Sequence, residues 1–202
     1  MTDVQRGGRV ALVTGASRGI GAATARLLAA RGMRVAVNYR SSREEADDVV
    51  ASITAAGGQA MAVRADVRDQ TAVLGMVEQI RAALGDVEVL VHNALIPYVV
   101  KSFDEITWDE LGGKLEEEMR SAFLITKAVV PGMTRRGYGR IVYLGTVLSR
   151  QPRAGMIALG ISKAALSQFA RYVARAVAFY AGDDSGFITG TTAPVNGGLA
   201  MD

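Results

Sequence analysis

A glycine-rich turn, TGASRGIG at residues 14–21, is the strongest chemical signal in the sequence. It follows the short apolar run RVALV and precedes an Ala- and Leu-rich run with helical spacing, so it joins a strand to the start of a helix. Glycine permits positive φ and close approach of a pyrophosphate, and free N–H groups at a helix start attract anions. The pattern predicts a dinucleotide site; the alternative is a turn without a ligand. The predicted contacts are Gly15, Ser17, Arg18, Gly19, Ile20 and Gly21.

The residues that follow the second apolar run indicate which dinucleotide is preferred. Asn38, Tyr39, Arg40 and Ser41 stand where a fold selective for NAD commonly places an acid on the ribose 2′-hydroxyl. No acid is present there to repel a 2′-phosphate, and Arg18 and Arg40 can bind one through charge-assisted hydrogen bonds. The sequence therefore predicts NADP(H); the alternative is that both arginines are solvated surface residues.

The elements that position these residues alternate along the chain. Short apolar runs bounded by turn residues predict strands, and runs with apolar residues at helical spacing predict helices. The predicted strands are Arg9–Val13, Arg34–Tyr39, Gln59–Ala65, Val87–His92 and Arg140–Gly145. The predicted helices are Ile20–Arg31, Arg43–Ala56, Gln70–Leu84, Trp108–Arg136 and Ala154–Tyr180. This alternation predicts an α/β doubly wound parallel sheet, the Rossmann fold, with ligands at the carboxyl ends of its strands.

Composition narrows the class of protein. The 202 residues are 50% hydrophobic and 21% charged, which predicts a single folded domain over residues 1–202 and argues against a disordered chain. No Cys and one His exclude disulfides and thiolate sites and argue against a metal site. A net charge of +3, with basic and acidic residues interspersed, does not indicate nucleic-acid binding. No apolar stretch reaches the ~18 residues of a membrane span, so we expect a cytoplasmic protein with no membrane partner.

Several motifs in order resemble the classical short-chain dehydrogenase/reductase family. TGASRGIG is followed by VNYRSS after the second strand, ADV at residues 65–67, HNA ending the fourth strand, and ITG and VNGG near the C-terminus. The closest resemblance is to the 3-oxoacyl-acyl-carrier-protein reductase branch. It implies an NADP(H)-binding Rossmann domain. By the same resemblance the further cofactor contacts are Asp66 and Val67 on the adenine, Asn93 and Ala94 beside the ribose, and Lys163 on the nicotinamide ribose.

The catalytic positions of the family are only partly matched. The family places a tyrosine four residues before a lysine, and here Lys163 is present while Leu159 stands at the tyrosine's position. Leucine has no proton to donate. The family's serine corresponds to Thr146, so Thr146 and Lys163 are the predicted catalytic residues. The family's helix asparagine corresponds to Glu118, whose carboxylate would bind the Lys163 ammonium. Leu95 replaces a glycine that follows the fourth strand.

Other candidates for a proton donor remain open. Tyr98 and Tyr143 are the nearest tyrosines in sequence to the expected site, Tyr143 inside a predicted strand and Tyr98 in a loop. His92, at the end of the fourth strand, is more typical of a packed or hydrogen-bonded histidine than of a general acid.

The chain is shorter than the family pattern. Between Arg175 and Ala176 the sequence passes directly from ARYVAR to AVAFYAGDD, where the family has a sixth strand and a substrate lobe. About 45 residues are absent, which is the length of a strand plus a lid-bearing crossover. A natural deletion, an engineered deletion and a lid segment omitted from the sequence as written all explain this contraction.

Two functions from different classes follow from the resemblance. The first is an NADP(H)-dependent reductase of a 3-oxoacyl thioester or related polyketide ketone, with a small-molecule or acyl-carrier-bound substrate. The second is a non-catalytic partner of an active family member, which explains Leu159, Glu118 and Leu95 together. A regulator that senses NADP(H) has no positive feature in its favour.

The resemblance also implies an assembly. We expect a homodimer or homotetramer, or a heteromer with an active relative, formed by helix Trp108–Arg136 and the helix around Lys163. The apolar residues expected to be available for this interface include Phe123, Ala128, Leu166 and Phe169.

Overall fold

The computed structural model describes the backbone over residues 8–181 and the side chains over residues 8–173. The C-terminal ITG and VNGG motifs lie outside these residues. The strands are β1 (Val10–Val13), β2 (Arg34–Tyr39), β3 (Gln59–Arg64), β4 (Val87–His92) and β5 (Arg140–Tyr143). The helices are α1 (Gly19–Ala30), α2 (Arg43–Ala55), α3 (Gln70–Ala83), α4 (Trp108–Arg136) and α5 (Ile157–Ala181).

The five strands form one sheet in the order β3-β2-β1-β4-β5. Strand β1 is fully buried and pairs in parallel with β2 and β4, so that Val13 lies beside Val37 on one side and Val91 on the other. The carboxyl ends of these three strands therefore meet at one edge of the sheet. The predicted doubly wound α/β fold is confirmed, and the residues that follow β1, β2 and β4 are brought together.

Two predicted boundaries are wrong by two or three residues, for local reasons, and several others differ by one residue. Strand β5 ends at Tyr143 and not at Gly145, because the Thr146 side chain caps a 3-10 turn over Val147–Ser149. Helix α5 begins at Ile157 and not at Ala154, since Gly155 has a φ of +76°, which no helix accepts. Helix α5 continues as far as Ala181, past residues 175 and 176, where the contraction is predicted.

The chain divides into two compact units. The first contains residues 8–95 and 123–142, and its core includes Leu12, Met76, Ile80, Leu90 and Ile125. The second contains residues 96–122 and the described chain from 143 onward. The single-domain assignment stays a prediction. Within residues 8–181 no helix combines the length and apolar character that a membrane span requires.

One expected interface residue is already buried within the chain. Leu166 is only 1% exposed, so the expectation that it is available to a partner is wrong. Because α5 carries apolar residues on more than one face, the sequence did not distinguish its inward side. Phe123 on α4 is 49% exposed and remains available.

Candidate functional site

The glycine turn after β1 uses its glycines in two ways. Gly15 has a φ of +60°, and a Cβ built on it would lie 2.8 Å from the Ala94 Cα. A Cβ on Gly21 would lie 2.6 Å from the Gly15 carbonyl oxygen. These two glycines are required by the chain's own close packing. Gly19 has a φ of +57° with nothing near its missing Cβ, so its open side leaves space for a ligand.

The start of α1 fits a pyrophosphate. Arg18 is the N-cap residue, no side chain caps the helix, and the first turn contains no acidic residue. The first N–H groups of α1 thus lack the side-chain acceptor that usually satisfies them, and they carry the positive end of the helix dipole. Arg18 and Ile20 are exposed and Ser17 is half-buried beside them. These predicted contacts lie on one short segment at the sheet's carboxyl edge.

Thr14, which the sequence analysis did not select, holds the turn in place. Its Oγ1 accepts hydrogen bonds from the backbone N–H groups of Asn93 and Ala94, both at 3.0 Å. The hydroxyl also lies 3.1 Å from His92 Nδ1. Because Oγ1 already accepts two N–H groups, its own proton is directed to Nδ1, which assigns that nitrogen as an acceptor. His92 is 2% exposed, so the expectation of a packed, hydrogen-bonded histidine is confirmed.

The two predicted asparagine contacts are bonded to the chain itself. Asn93 Nδ2 donates to the carbonyl oxygens of Thr14 and Gly15, both at 3.0 Å. Asn38 is 2% exposed; its Oδ1 accepts from Gly15 N–H at 3.2 Å and its Nδ2 donates to the Ala65 carbonyl at 3.1 Å. Both amides therefore fix the glycine turn against neighbouring strands. Contact of either residue with a cofactor stays a prediction.

The remaining residues after β2 differ in exposure. Tyr39 is 7% exposed, whereas Arg40 and Ser41 are exposed. Both exposed side chains extend from the carboxyl end of β2, where the sequence predicts the 2′-phosphate.

Asp66, after β3, is paired with an arginine that the sequence analysis also missed. Arg68 Nε and Nη2 donate to the two carboxylate oxygens at 2.9 and 2.7 Å. Hydrogen bonding from Arg68, against a smaller opposing effect of burial, lowers the pKa of Asp66 to about 2, and the charge of Arg40 contributes. Val67 between them is 5% exposed. The separation of Asp66 and Arg68 by a single residue was the sequence feature that could have indicated this pair.

The second unit contains a buried cluster of three charged side chains. Lys114 Nζ lies 2.5 Å from Glu118 Oε2, and Lys163 Nζ lies 2.8 Å from Glu118 Oε1. The side chains of Lys114, Glu118 and Lys163 are 2%, 0% and 8% exposed. Lys114 also donates to the Ile96 carbonyl at 2.9 Å, and Lys163 to the Leu144 carbonyl at 2.7 Å. Glu118 thus lies beside Lys163, as the sequence analysis predicted, whereas the sequence analysis did not identify Lys114 as part of this cluster.

Burial and pairing act against each other in this cluster. Burial would raise the pKa of Glu118, but the ammonium groups of Lys163 and Lys114 outweigh it and lower that pKa. Burial lowers the pKa of Lys114 although Glu118 opposes this. Glu118 is therefore ionised at neutral pH, and the cluster carries more positive than negative charge when both lysines are protonated.

Thr146, which is predicted to be catalytic, and Leu159, at the position of the family's tyrosine, lie in the same unit. Thr146 Oγ1 accepts a hydrogen bond from Leu148 N–H at 3.3 Å, which leaves its own proton available to a substrate oxygen. Leu159 is 8% exposed and lies one helical turn before Lys163. In the first unit, Leu95 is 71% exposed. Thr146 lies two residues after Leu144, whose carbonyl accepts the hydrogen bond from Lys163 Nζ.

Comparison with known proteins identifies the family. The family model for short chain dehydrogenases matches residues 9–181. The 3-oxoacyl-acyl-carrier-protein reductase FabG of Escherichia coli (strain K12) is 30% identical over 247 residues, which cover 96% of this chain and 98% of the relative. That alignment is longer than the 202-residue chain, so part of the relative has no counterpart here.

Solved structures agree. A dehydrogenase/reductase from Sinorhizobium meliloti is 35% identical with a TM-score of 0.76, covering 85% of this chain and 67% of the other. A short chain dehydrogenase from Burkholderia cenocepacia in complex with NADP is 41% identical with a TM-score of 0.75, covering 85% and 69%. With its parallel sheet, its glycine turn and these matches, the chain belongs to the short-chain dehydrogenase/reductase family, whose members bind a nicotinamide dinucleotide.

Proposed function

We propose that this protein is an NADP(H)-dependent reductase of a ketone, with a 3-oxoacyl thioester or related polyketide ketone as the substrate class. The observation that carries the proposal is the buried cluster of Lys114, Glu118 and Lys163. Removing such charges from water is costly, and apolar replacements of similar volume are often neutral or stabilising. Three charged groups buried in this cluster therefore add little to the stability of the fold. A reaction that transfers a proton gives a reason for their presence.

The choice of NADP(H) is supported by charge. Arg18 and Arg40 are exposed near the carboxyl ends of β1 and β2, and no acid occupies the segment after β2. The relative from Burkholderia cenocepacia was crystallised with NADP, and the Escherichia coli relative is named as a reductase of the proposed substrate class. Bound NADPH would supply the hydride, and Thr146 would donate a hydrogen bond to the ketone oxygen.

A second candidate function is a non-catalytic subunit that supports an active family member. Two observations favour it. Leu159 removes the family's proton donor, and the Lys163 ammonium is already bonded to Glu118 and to the Leu144 carbonyl. This reading predicts cofactor binding without turnover.

We also propose that the protein forms an oligomer and that the sequence as written lacks a segment found in the family. A homodimer, homotetramer or heteromer through α4 and α5 is supported by exposed apolar residues such as Phe123, Ile161 and Tyr172. A sixth strand and substrate lobe missing at 175–176 is supported by the alignment that exceeds the chain in length. The intact mass of the purified protein tests whether the lobe exists.

Cofactor selectivity is tested by fluorescence titration with NADPH and NADH. We expect tighter binding of NADPH, and loss of that preference in Arg18→Gln/Arg40→Gln, since each hydrogen bond to a charged group contributes about 1.5–3 kcal/mol. The matched control is Arg43→Gln, because Arg43 is an exposed arginine that pairs with Asp47 on α2. This variant should keep the preference for NADPH. Equal affinity for the two cofactors refutes the 2′-phosphate assignment.

Turnover separates the two functions. NADPH oxidation is followed with a short 3-oxoacyl thioester such as acetoacetyl-CoA. Turnover supports the reductase, whereas NADPH binding without turnover of this thioester or of simple polyketide-like ketones supports the non-catalytic subunit.

A further inference from the structure

The structure separates the three side chains that stand as alternatives to the missing tyrosine. His92 is 2% exposed and its Nδ1 accepts the Thr14 proton, so its ring is buried and bonded within the chain. Tyr143 packs edge-on against Phe169, with ring centroids 5.9 Å apart at 74°. Tyr98, in the loop after β4, is half-buried like Tyr143, but it differs from both alternatives because its ring lies beside Lys114 of the charged cluster.

Tyr98 is joined to that cluster in two ways. Lys114 Nζ lies 5.8 Å from the centroid of the Tyr98 ring. The same ammonium donates to the carbonyl of Ile96, two residues before Tyr98, and so holds the loop that carries the phenol. Lys114 is in turn fixed by Glu118, at 2.5 Å, and Glu118 contacts Lys163. A tyrosine ring therefore lies within 5.8 Å of a buried ammonium, at positions other than 159 and 163.

We infer that Tyr98 is the proton donor of the proposed reduction and that Lys114 is its positioning residue; the inference rests on the proposed function. In the reaction the ketone carbon receives a hydride and its oxygen receives the proton of the Tyr98 hydroxyl. The O–H bond of Tyr98 breaks, the O–H bond of the product alcohol forms, and the phenolate is reprotonated by one H⁺ from solution, which is the proton consumed in each turnover. NADPH is the reductant and leaves as NADP⁺. The positive charge of Lys114 offsets the negative charge on the phenolate.

The decisive variant is Tyr98→Phe, which removes one hydroxyl from a half-buried loop residue. We expect kcat for the 3-oxoacyl thioester to fall about 10²- to 10⁴-fold, the usual contribution of a general acid, with NADPH affinity unchanged. Binding of the 3-hydroxyacyl thioester product to the NADPH-bound protein, measured by calorimetry, should weaken about fivefold for one lost hydrogen bond. Tyr143→Phe is the matched control and leaves both measurements at the wild-type level.

Lys114 is tested separately as a positioning residue. Lys114→Met should lower kcat with little change in KM, and Lys114→Arg should recover part of the rate because it restores the charge. Thermal unfolding of each variant distinguishes lost positioning from lost folding. Lys101→Met, which removes a partly exposed lysine paired with Glu110 in the same unit, leaves kcat unchanged.

Each outcome decides something. Turnover by the wild type with a large loss in Tyr98→Phe supports the inference. Turnover that Tyr98→Phe leaves unchanged overturns it while the reductase function stands. A wild type that binds NADPH but reduces none of the ketones overturns the proposed function, and the role of Tyr98 with it.

Discussion

Replacing Glu118 by glutamine tests whether the buried cluster is charged as described. The change removes the carboxylate that pairs with two ammonium groups whose side chains are 2% and 8% exposed. Opposite unit charges 2.8 Å apart attract by about 6 kcal/mol at an effective dielectric constant of about 20. Part of this is offset by desolvation, and removing one partner of a buried pair typically costs about 3–5 kcal/mol. We therefore expect Glu118→Gln to lower the free energy of unfolding by about that amount.

The assay is thermal and urea unfolding at neutral pH, followed by circular dichroism. For a protein of this length, about 2–4 °C of Tm is lost per kcal/mol, so Tm should fall by about 6–20 °C. The matched control is Glu110→Gln, which breaks the pair with Lys101 at the same 2.5 Å distance but with side chains 39% and 26% exposed. Such a partly exposed pair contributes about 0–1 kcal/mol.

Two results bear on the reasoning. If Glu118→Gln unfolds within about 1 kcal/mol of the wild type, as Glu110→Gln should, the cluster is not a closed arrangement of buried charges and the electrostatic account is refuted. The triple variant Lys114→Met/Glu118→Leu/Lys163→Met should recover most of the lost stability, because no charge is then left buried without a partner.

Two further predictions concern single residues. Arg68→Gln should remove the acid sensitivity that Asp66 contributes to stability. The pKa of Asp66, about 2, lies below the ordinary value of 3.8, so the stabilisation by this carboxylate is present above about pH 4 and is lost as the pH falls toward 2. The difference in unfolding free energy between the wild type and the variant should therefore shrink as the pH falls from about 4 to about 2. In the Tyr98→Phe background, Leu159→Tyr should raise NADPH-dependent reduction of a 3-oxoacyl thioester, because it supplies a phenol one helical turn before Lys163 and so recovers part of the about 10²- to 10⁴-fold loss of a general acid; an unchanged rate in a double variant that folds and binds NADPH would contradict this.

The sheet was predictable from sequence because its strands are short apolar runs between turn residues. Strands β2 and β4 have the predicted ends, since both are buried parallel strands in which Val, Leu and Ala predominate. The end of β5 was not predictable in the same way, because the apolar run continues to Leu144 while the cap formed by Thr146 turns the backbone.

The charged cluster shows where sequence reasoning stopped. Glu118 was placed beside Lys163 by register, but Lys114 lies in the polar stretch KLEEEMR and resembles a solvated helix residue. Its spacing of four residues from Glu118 was the available signal, although that spacing is common on exposed helix faces. Burial of a lysine depends on which helix face meets the rest of the unit, and Leu166 was misassigned for the same reason.

The hydroxyl of Thr14 has a consequence for the thermodynamics of ligand capture. It holds the amides of Asn93 and Ala94, while Asn38 holds that of Gly15, so the segment around the glycine turn has a fixed backbone without any ligand. Ordering a flexible residue costs about 1–2 kcal/mol of entropy, and this turn has already lost that freedom during folding. A dinucleotide arriving at the turn therefore meets a preorganised surface, and its binding free energy is not reduced by immobilising the loop.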